Sequence, residues 1–240
     1  MSGAFRTPAG GLVDRTQPVS FKFDGKALKG LAGDTLASAL LANGVHLMGR
    51  SFKYHRPRGV MAAGAEEPNA LVSVSRGGGR VTPNLRATQV ELYEGLEAIS
   101  QNRYPSLKFD VGAVNDLVPG VFSAGFYYKT FMQPRGAWAK LYEPVIRRAA
   151  GLGEAAKEAD PDHYAQVYAH CEVLVVGSGA AGLAAALAAS ESGGRVILCD
   201  EQPVMGGGLR LETGALVDGK PAGQWADEAL AALAAKPNVT

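Results

Sequence analysis

Alternation is the first pattern along the chain. Val19-Ser-Phe-Lys-Phe23 sets apolar residues two apart, which predicts a strand with one buried face. Asp24-Gly25 follows as a two-residue turn signal, and Lys26 to Leu31 returns as the second strand of a hairpin. The period then lengthens. After Gly33-Asp34-Thr35, residues Leu36, Ala39, Leu40 and Asn43 recur at helical offsets, so a helix is predicted with Asp34 as N-cap and Gly44 as its C′ stop.

Beyond residue 170 the pattern is of another kind. Val173-Leu-Val-Val176 is a short continuous apolar run, read as a buried strand, and the glycine-rich turn Gly177-Ser-Gly-Ala-Ala-Gly182 follows it. Ala180 to Ala189, with Leu183 and Leu187 as its only large residues, predicts a narrow helix that can lie against a parallel sheet. Val196-Ile-Leu-Cys199 is a second strand, closed by Asp200. In that context G-x-G-x-x-G is informative. Gly177 allows the sharp turn, Gly179 lets the backbone approach a pyrophosphate, and Gly182 lets the helix pack closely on the strand. The helix N-terminus supplies the positive end, so no lysine is required, and none lies between Glu172 and Glu201. Asp200 stands near the ~20-residue offset of a ribose-binding acid. A carboxylate there accepts from ribose hydroxyls and repels a 2′-phosphate, which favours NAD, FAD or another adenine nucleotide over NADP. The plain alternative is a tight strand-to-helix turn with no ligand.

Gln224 to Lys236 carries Trp225, Ala229, Leu230 and Leu233 at helical offsets and predicts a covering helix stopped by Pro237. Between the two patterned regions, Phe122, Phe126, Tyr127, Tyr128, Phe131, Trp138 and Tyr142 crowd a segment broken by Gly120, Gly125, Pro134 and Gly136. Such a cluster packs between domains, against another subunit, or as ordinary core. The polar stretch Ala150 to Pro161 marks an interdomain boundary. The expected division is an extension over 1–16, a β-grasp over 17–105, an aromatic-rich connection over 106–169, and a first dinucleotide-binding part over 170–240.

Composition narrows the classes. The 240 residues are 47% hydrophobic and 20% charged with net charge +1, ordinary for a globular protein and without the basic excess that nucleic acid or an anionic membrane would call for. No signal-peptide core and no unbroken stretch of about 18 apolar residues is present, so a cytoplasmic location off the membrane is expected. The two cysteines, Cys171 and Cys199, form no C-x-x-C pair and are expected to pack as small apolar residues, so neither a dithiol centre nor a metal site is expected.

Hairpin followed by helix opens a ubiquitin-like or plant-ferredoxin-like β-grasp. In a working plant-type ferredoxin the next stretch carries the thiolates of a 2Fe–2S cluster. Here Arg50 to Val72 has no cysteine, so a cluster-less, redox-inert domain is expected. Within it, Lys53, His55, Arg56 and Arg58 are candidates for a flavin phosphate or the acidic face of a partner. The alternative is a solvated loop balanced by Glu66 and Glu67. His55 has no carboxylate partner that sequence alone supplies, and no catalytic residue is assigned.

Ser51-Phe-Lys-Tyr-His-Arg-Pro-Arg-Gly59, Glu66-Glu-Pro-Asn-Ala-Leu-Val72, Trp138-Ala-Lys-Leu-Tyr-Glu-Pro-Val-Ile-Arg147 and His170-Cys-Glu-Val-Leu-Val-Val-Gly177 resemble the N-terminal part of alpha subunits of heterotetrameric sarcosine oxidase and of related opine and amine oxidases. The resemblance implies α+β followed by α/β: a ferredoxin-like β-grasp, then a Rossmann-like domain of the glutathione-reductase type. It implies a complex with beta, gamma and delta subunits in which a secondary amine is oxidised through FAD and FMN, the FMN at a subunit interface, giving hydrogen peroxide. Tetrahydrofolate accepts the one-carbon unit. By motif match, Gly177, Gly179, Ala180, Ala181 and Gly182 would hold the pyrophosphate of NAD, or alternatively FAD, and Asp200, Glu201 and Gln202 the ribose. Gly206-Gly207-Gly208 resembles the second glycine cluster of such domains, though it reads equally as a loop. Asn238-Val239-Thr240 stops where a third strand is due, so the chain reads as a fragment. Two alternatives stand beside this reading: a non-catalytic nucleotide-binding assembly module, and an FAD-binding subunit of an opine or other amine dehydrogenase.

Overall fold

The computed structural model describes all residues except 1–3, 122–123, 126–130, 152, 203 and 213. Phe122, Phe126, Tyr127 and Tyr128 of the aromatic segment therefore lie outside the described residues. The chain divides into two compact units, Met1–Pro161 and Asp162–Thr240.

In the first unit, β1 (Asp14–Phe23) and β2 (Lys26–Ala32) form the hairpin. Asp24 and Gly25 both take left-handed φ, 48° and 77°, the twist that a two-residue turn needs to join strands without splaying them. Helix α1 (Leu36–Ala42) crosses the sheet, the two-residue strands β3 (Gly49–Arg50) and β4 (Pro57–Arg58) bracket the basic run, and β5 (Leu71–Ser75), β6 (Val81–Arg86) and β7 (Leu96–Ser100) complete the set. The sheet order is β2-β1-β7-β5-β6, with β1 and β7 parallel and the other neighbours antiparallel. This is a β-grasp: the alternating residues Phe21, Phe23, Val72, Val74 and Leu96 form one face, which closes on Leu36, Ala39 and Leu40 of α1 and on Met48. Each large side chain buried there contributes about 1.5–3 kcal/mol.

The cap of α1 is not Asp34. Thr35 takes that place in a reciprocal box with Ser38, each side chain accepting the other's backbone N–H. Asp34 is drawn into the core instead, where its carboxylate accepts from both terminal nitrogens of Arg6 and from Leu31 N–H and Ser38 Oγ. Phe5 lies edge-on to His46, over Gly44, so the expected extension is docked on the β-grasp. After β7 come a 3₁₀ turn (Val111–Leu117), a π turn (Trp138–Tyr142) and α2 (Glu143–Ala150), ended by Gly151 at φ 62°. Of the described aromatics here, Phe131 and Tyr142 pack ring on ring at 5.0 Å, while Trp138 remains exposed.

In the second unit β8 (Val173–Val176) and β9 (Val196–Cys199) are parallel neighbours joined by α3 (Ala180–Ser190). The chain end runs along β9: Leu198 N–H donates to Thr240 O and Thr240 N–H to Val196 O. A short hairpin of β10 (Leu216–Val217) and β11 (Lys220–Pro221) leads into α4 (Ala222–Ala234). Leu183 and Ala186 of α3 pack with Leu198 of β9 and with Ala226, Ala229 and Leu233 of α4. Within these 240 residues the apolar run of β8 is buried on one side. Val175 faces the helices, but Val173, Leu174 and Val176 are exposed, because the two helices cover one face of the strands. For the same reason Cys199 is exposed and Cys171 only half-buried, not packed in a core. Among the described residues no helix is long and apolar enough to cross a membrane.

Glu172 and Arg195 tie the start of β8 to the start of β9. The Glu172 carboxylate accepts from the Arg195 guanidinium at 2.8 Å and from its backbone N–H at 2.6 Å. The Arg195 side chain first, then its N–H, pulls the Glu172 carboxyl down from 4.5 to about 2. Since the folded value lies below the ordinary one, this tie is whole above pH 4.5 and is lost as pH falls toward 2. A carbon-detected NMR titration of Glu172 is expected to show a midpoint near 2, and one near 4.5 would contradict the contact.

Candidate functional site

The glycine turn between β8 and α3 adopts the geometry its sequence calls for. Gly177 sits at φ 96°, a conformation that side chains rarely take, and carries the chain out of β8. A Cβ at Gly182 would stand 1.8 Å from the Gly177 carbonyl oxygen, so the helix touches the turn backbone to backbone. Gly179 differs. It precedes α3 in extended conformation, and a Cβ placed there would meet no atom within 4 Å. The space above it is open, at the N-terminus of an eleven-residue helix whose first N–H groups lack side-chain caps.

Two further segments converge on this turn. Gly207, at φ 51°, comes up to Gly179: a Cβ there would lie 3.4 Å from the Gly179 Cα. Asp200, at the end of β9, turns back toward the loop and accepts from Ser178 Oγ at 2.6 Å and from the Ser178 N–H. Its other oxygen accepts from Gln202 N–H at 2.8 Å. The Ser178 hydroxyl bond, followed by the N–H bonds of Gln202 and Ser178, holds the Asp200 carboxyl below its ordinary range, so the seat carries a fixed negative charge at neutral pH.

Ser178 is the residue that the glycine pattern alone misses. Fully buried, it donates to Asp200 and accepts the Gly206 N–H at 2.9 Å, so one side chain ties the first glycine turn, the acid and the second glycine segment together. Its only sequence signal is a hydroxyl at the variable position between two glycines. Thus Gly177, Gly179, Gly182, Asp200, Gln202 and Gly207 come together. Ala180 and Ala181 open α3 beside them, Gly208 is the second residue of the 3₁₀ turn that Gly207 begins, and Glu201 is exposed. A cradle of backbone N–H groups, open where a Cβ would stand, with a carboxylate at its edge, fits a dinucleotide pyrophosphate and ribose.

The basic run of the first unit is largely neutralised by its own chain. His55 is buried, with Nδ1 2.6 Å from Asp110 Oδ2. This is the carboxylate partner that sequence could not supply, and it lies 55 positions away. Burial raises the Asp110 carboxyl, but the Tyr104 N–H, His55 and the Gly112 N–H outweigh it and hold the group below its ordinary range. Arg56 donates twice to Asp116, and both Arg56 and Lys53 lie over the Tyr54 ring at 4.9 Å. Among the described residues, the anions that meet His55 and Arg56 are Asp110 and Asp116. Arg58 stays exposed and borders a cavity of about 220 Å³ with Arg50, Asn69 and Asn102.

Residues 16–103 match a family model described as a 2Fe-2S iron-sulfur cluster binding domain, and residues 172–236 match one described as FAD dependent oxidoreductase. The chain is 62% identical over 236 residues to the sarcosine oxidase subunit alpha of Rhizobium meliloti (strain 1021), covering 98% of this chain and 24% of that protein. It is 36% identical over 234 residues to the subunit alpha from Corynebacterium sp. (strain U-96), covering 97% and 19%. It therefore spans about a quarter or less of the length of these relatives. Among solved structures, the L-proline dehydrogenase from P. horikoshii shares the fold at TM-score 0.55 and 19% identity, over 95% of this chain and 33% of that one. Along nearly its whole length, the chain is similar to the N-terminal part of sarcosine oxidase alpha subunits.

Proposed function

We propose that this chain is the dinucleotide-seating, N-terminal segment of the alpha subunit of a flavin-type amine-oxidising complex. The observation that carries the proposal is the convergence of Gly179, Gly207 and Asp200 at the N-terminus of α3, held by Ser178. In this Rossmann-type unit, which we bound at 170–240, the N–H groups of Gly179, Ala180, Ala181 and Gly182 receive the pyrophosphate and Gly177 makes the turn. Gly207 and Gly208 close over it, and Asp200, with Glu201 and Gln202, takes the adenosine ribose. Bound there, a flavin or nicotinamide dinucleotide supplies two-electron redox chemistry; the chain supplies position and electrostatics.

The description of the matched family favours FAD in this seat, while the glycine turn with Asp200 at the strand end keeps NAD as the second occupant. Asp200 serves either, since both carry the same adenosine ribose. The β-grasp, over 17–105, holds no cluster: it has no cysteine, the chain's two being Cys171 and Cys199. It acts in assembly with beta, gamma and delta subunits in the cytoplasm, and Arg58, with Lys53, His55 and Arg56 behind it, faces an interfacial FMN or a partner. Oxidation of the amine, formation of hydrogen peroxide and transfer of the one-carbon unit to tetrahydrofolate take place in the rest of the complex.

The titratable group at the glycine cradle is Asp200, and it is held ionised by hydrogen bonds that position it, not poised to exchange a proton. Purifying the full-length subunit apart from its partners and identifying the released dinucleotide by mass spectrometry tests the proposal. FAD or NAD in stoichiometric amount is expected, and neither would refute it. Adding an N-methyl amine substrate to the assembled complex then separates the roles: a dinucleotide that stays oxidised while the complex turns over is structural.

A further inference from the structure

The loop that follows the basic run is wrapped around a side chain of its own. Glu67 is fully buried, and its carboxylate accepts four backbone N–H groups. Oε2 takes Met61 at 2.6 Å and Ala62 at 2.7 Å, and Oε1 takes Asn69 at 2.7 Å and Ala70 at 3.1 Å. Burial pushes the Glu67 carboxyl up, but the four amides outweigh it and hold the group below its ordinary range. Thr88, also buried, closes the loop from the far side by donating to the Gly64 carbonyl at 2.8 Å, and Ala87 N–H donates to Ala70 O.

The spacing of the caged residues has a meaning of its own. Plant-type 2Fe–2S loops place their thiolates as C-x4-C-x2-C, and Ala62-x4-Glu67-x2-Ala70 repeats that spacing in this sequence. The middle position carries the carboxylate, and the two outer positions, lacking thiols, give it their N–H groups. An iron–sulfur cluster is an anion held by ligands and by hydrogen bonds to its sulfurs, and a backbone nest of this sort is a site for an anion. The residues present do not fit the cluster that the matched family description names.

We infer that the Glu67 carboxylate is the resident anion of this loop, taking the place of the cluster and keeping the loop in its cluster-holding shape. The inference rests on the reading that the β-grasp holds no cluster. In this state the nest is closed to outside anions, and Glu67 fixes the strap that joins the basic run to β5.

The test uses the full-length protein. Glu67→Ala is expected to lower the unfolding midpoint of the β-grasp, and sodium formate to recover at least half of that loss where equal sodium chloride does not. Glu67→Gln fills the space but points an amide N–H at the nest, so it is expected to stay destabilised with and without formate. A folded Glu67→Ala protein with an unchanged midpoint, or one that formate helps no more than chloride, overturns the inference. If Glu67→Ala does not fold, amide exchange in the unaltered protein decides: Met61, Ala62, Asn69 and Ala70 are expected to be slowed more than about 100-fold against free peptide, and exchange at the free rate refutes the cage. Iron and acid-labile sulfide content is measured separately; stoichiometric amounts would refute the cluster-less reading, whereas failed formate rescue refutes the role of Glu67.

Discussion

Gly182→Ala is expected to unfold the second unit. The Cβ would have to stand 1.8 Å from the Gly177 carbonyl oxygen and 2.9 Å from its carbonyl carbon. Both are backbone atoms, so no side chain can swing aside. Relief requires either that α3 lift from the turn or that the turn leave β8, and α3 provides Leu183 and Ala186, the centre of the core shared with Leu198 and α4. Overpacking a tight core costs about 1–3 kcal/mol when side chains can adjust; here the cost exceeds that range, in a unit whose core is small. Hydrogen exchange across 173–199 in the full-length protein measures it. Loss of protection throughout β8, α3 and β9 is expected, and native protection in the variant would mean that the helix does not approach the turn as described.

The second large effect lies at the other end of the chain. Arg6→Ala strands the Asp34 carboxylate, which is 1% exposed and loses two of its four donors. Removing one partner of a buried ion pair costs about 3–5 kcal/mol, because the charge left behind is neither paired nor hydrated. The unfolding midpoint of the β-grasp is therefore expected to fall sharply, and Arg6→Ala combined with Asp34→Ala to recover part of the loss, since the stranded charge is then gone. A single variant within about 0.5 kcal/mol of the unaltered protein, as for an ordinary surface residue, would show that the N-terminal segment is not anchored there.

These two sites show where the sequence was readable and where it was not. The hairpin at Asp24-Gly25, the helix ended at Gly44 and the glycine turn at 177–182 are local: turn chemistry, period and close approach lie within a few residues of one another. Asp34 has the type and position of an N-cap, yet Arg6, 28 residues away, claims its carboxylate and leaves the cap to Thr35. His55 reads as a free base until Asp110 is brought against it. Glu67 reads as a surface charge beside Glu66, because nothing in its neighbours' identities shows that four backbone N–H groups will turn toward it. Val173 to Val176 reads as buried on both faces since apolar content alone cannot tell which faces the helices cover. Ser178 was hidden for a different reason: the pattern that locates the site leaves its position unspecified.

The cradle at Gly179 separates fold from ligand, because a methyl group there meets no protein atom and stands in the space that our proposal gives to the phosphate. Gly→Ala at a backbone conformation open to alanine leaves stability within about 1 kcal/mol. The most direct measurement is therefore the molar ratio of bound dinucleotide in full-length Gly179→Ala protein, with hydrogen exchange of α3 recorded on the same sample. Unchanged exchange with the dinucleotide lost is the result this geometry predicts. Unchanged exchange with the dinucleotide fully retained would show that the glycine turn is not its seat.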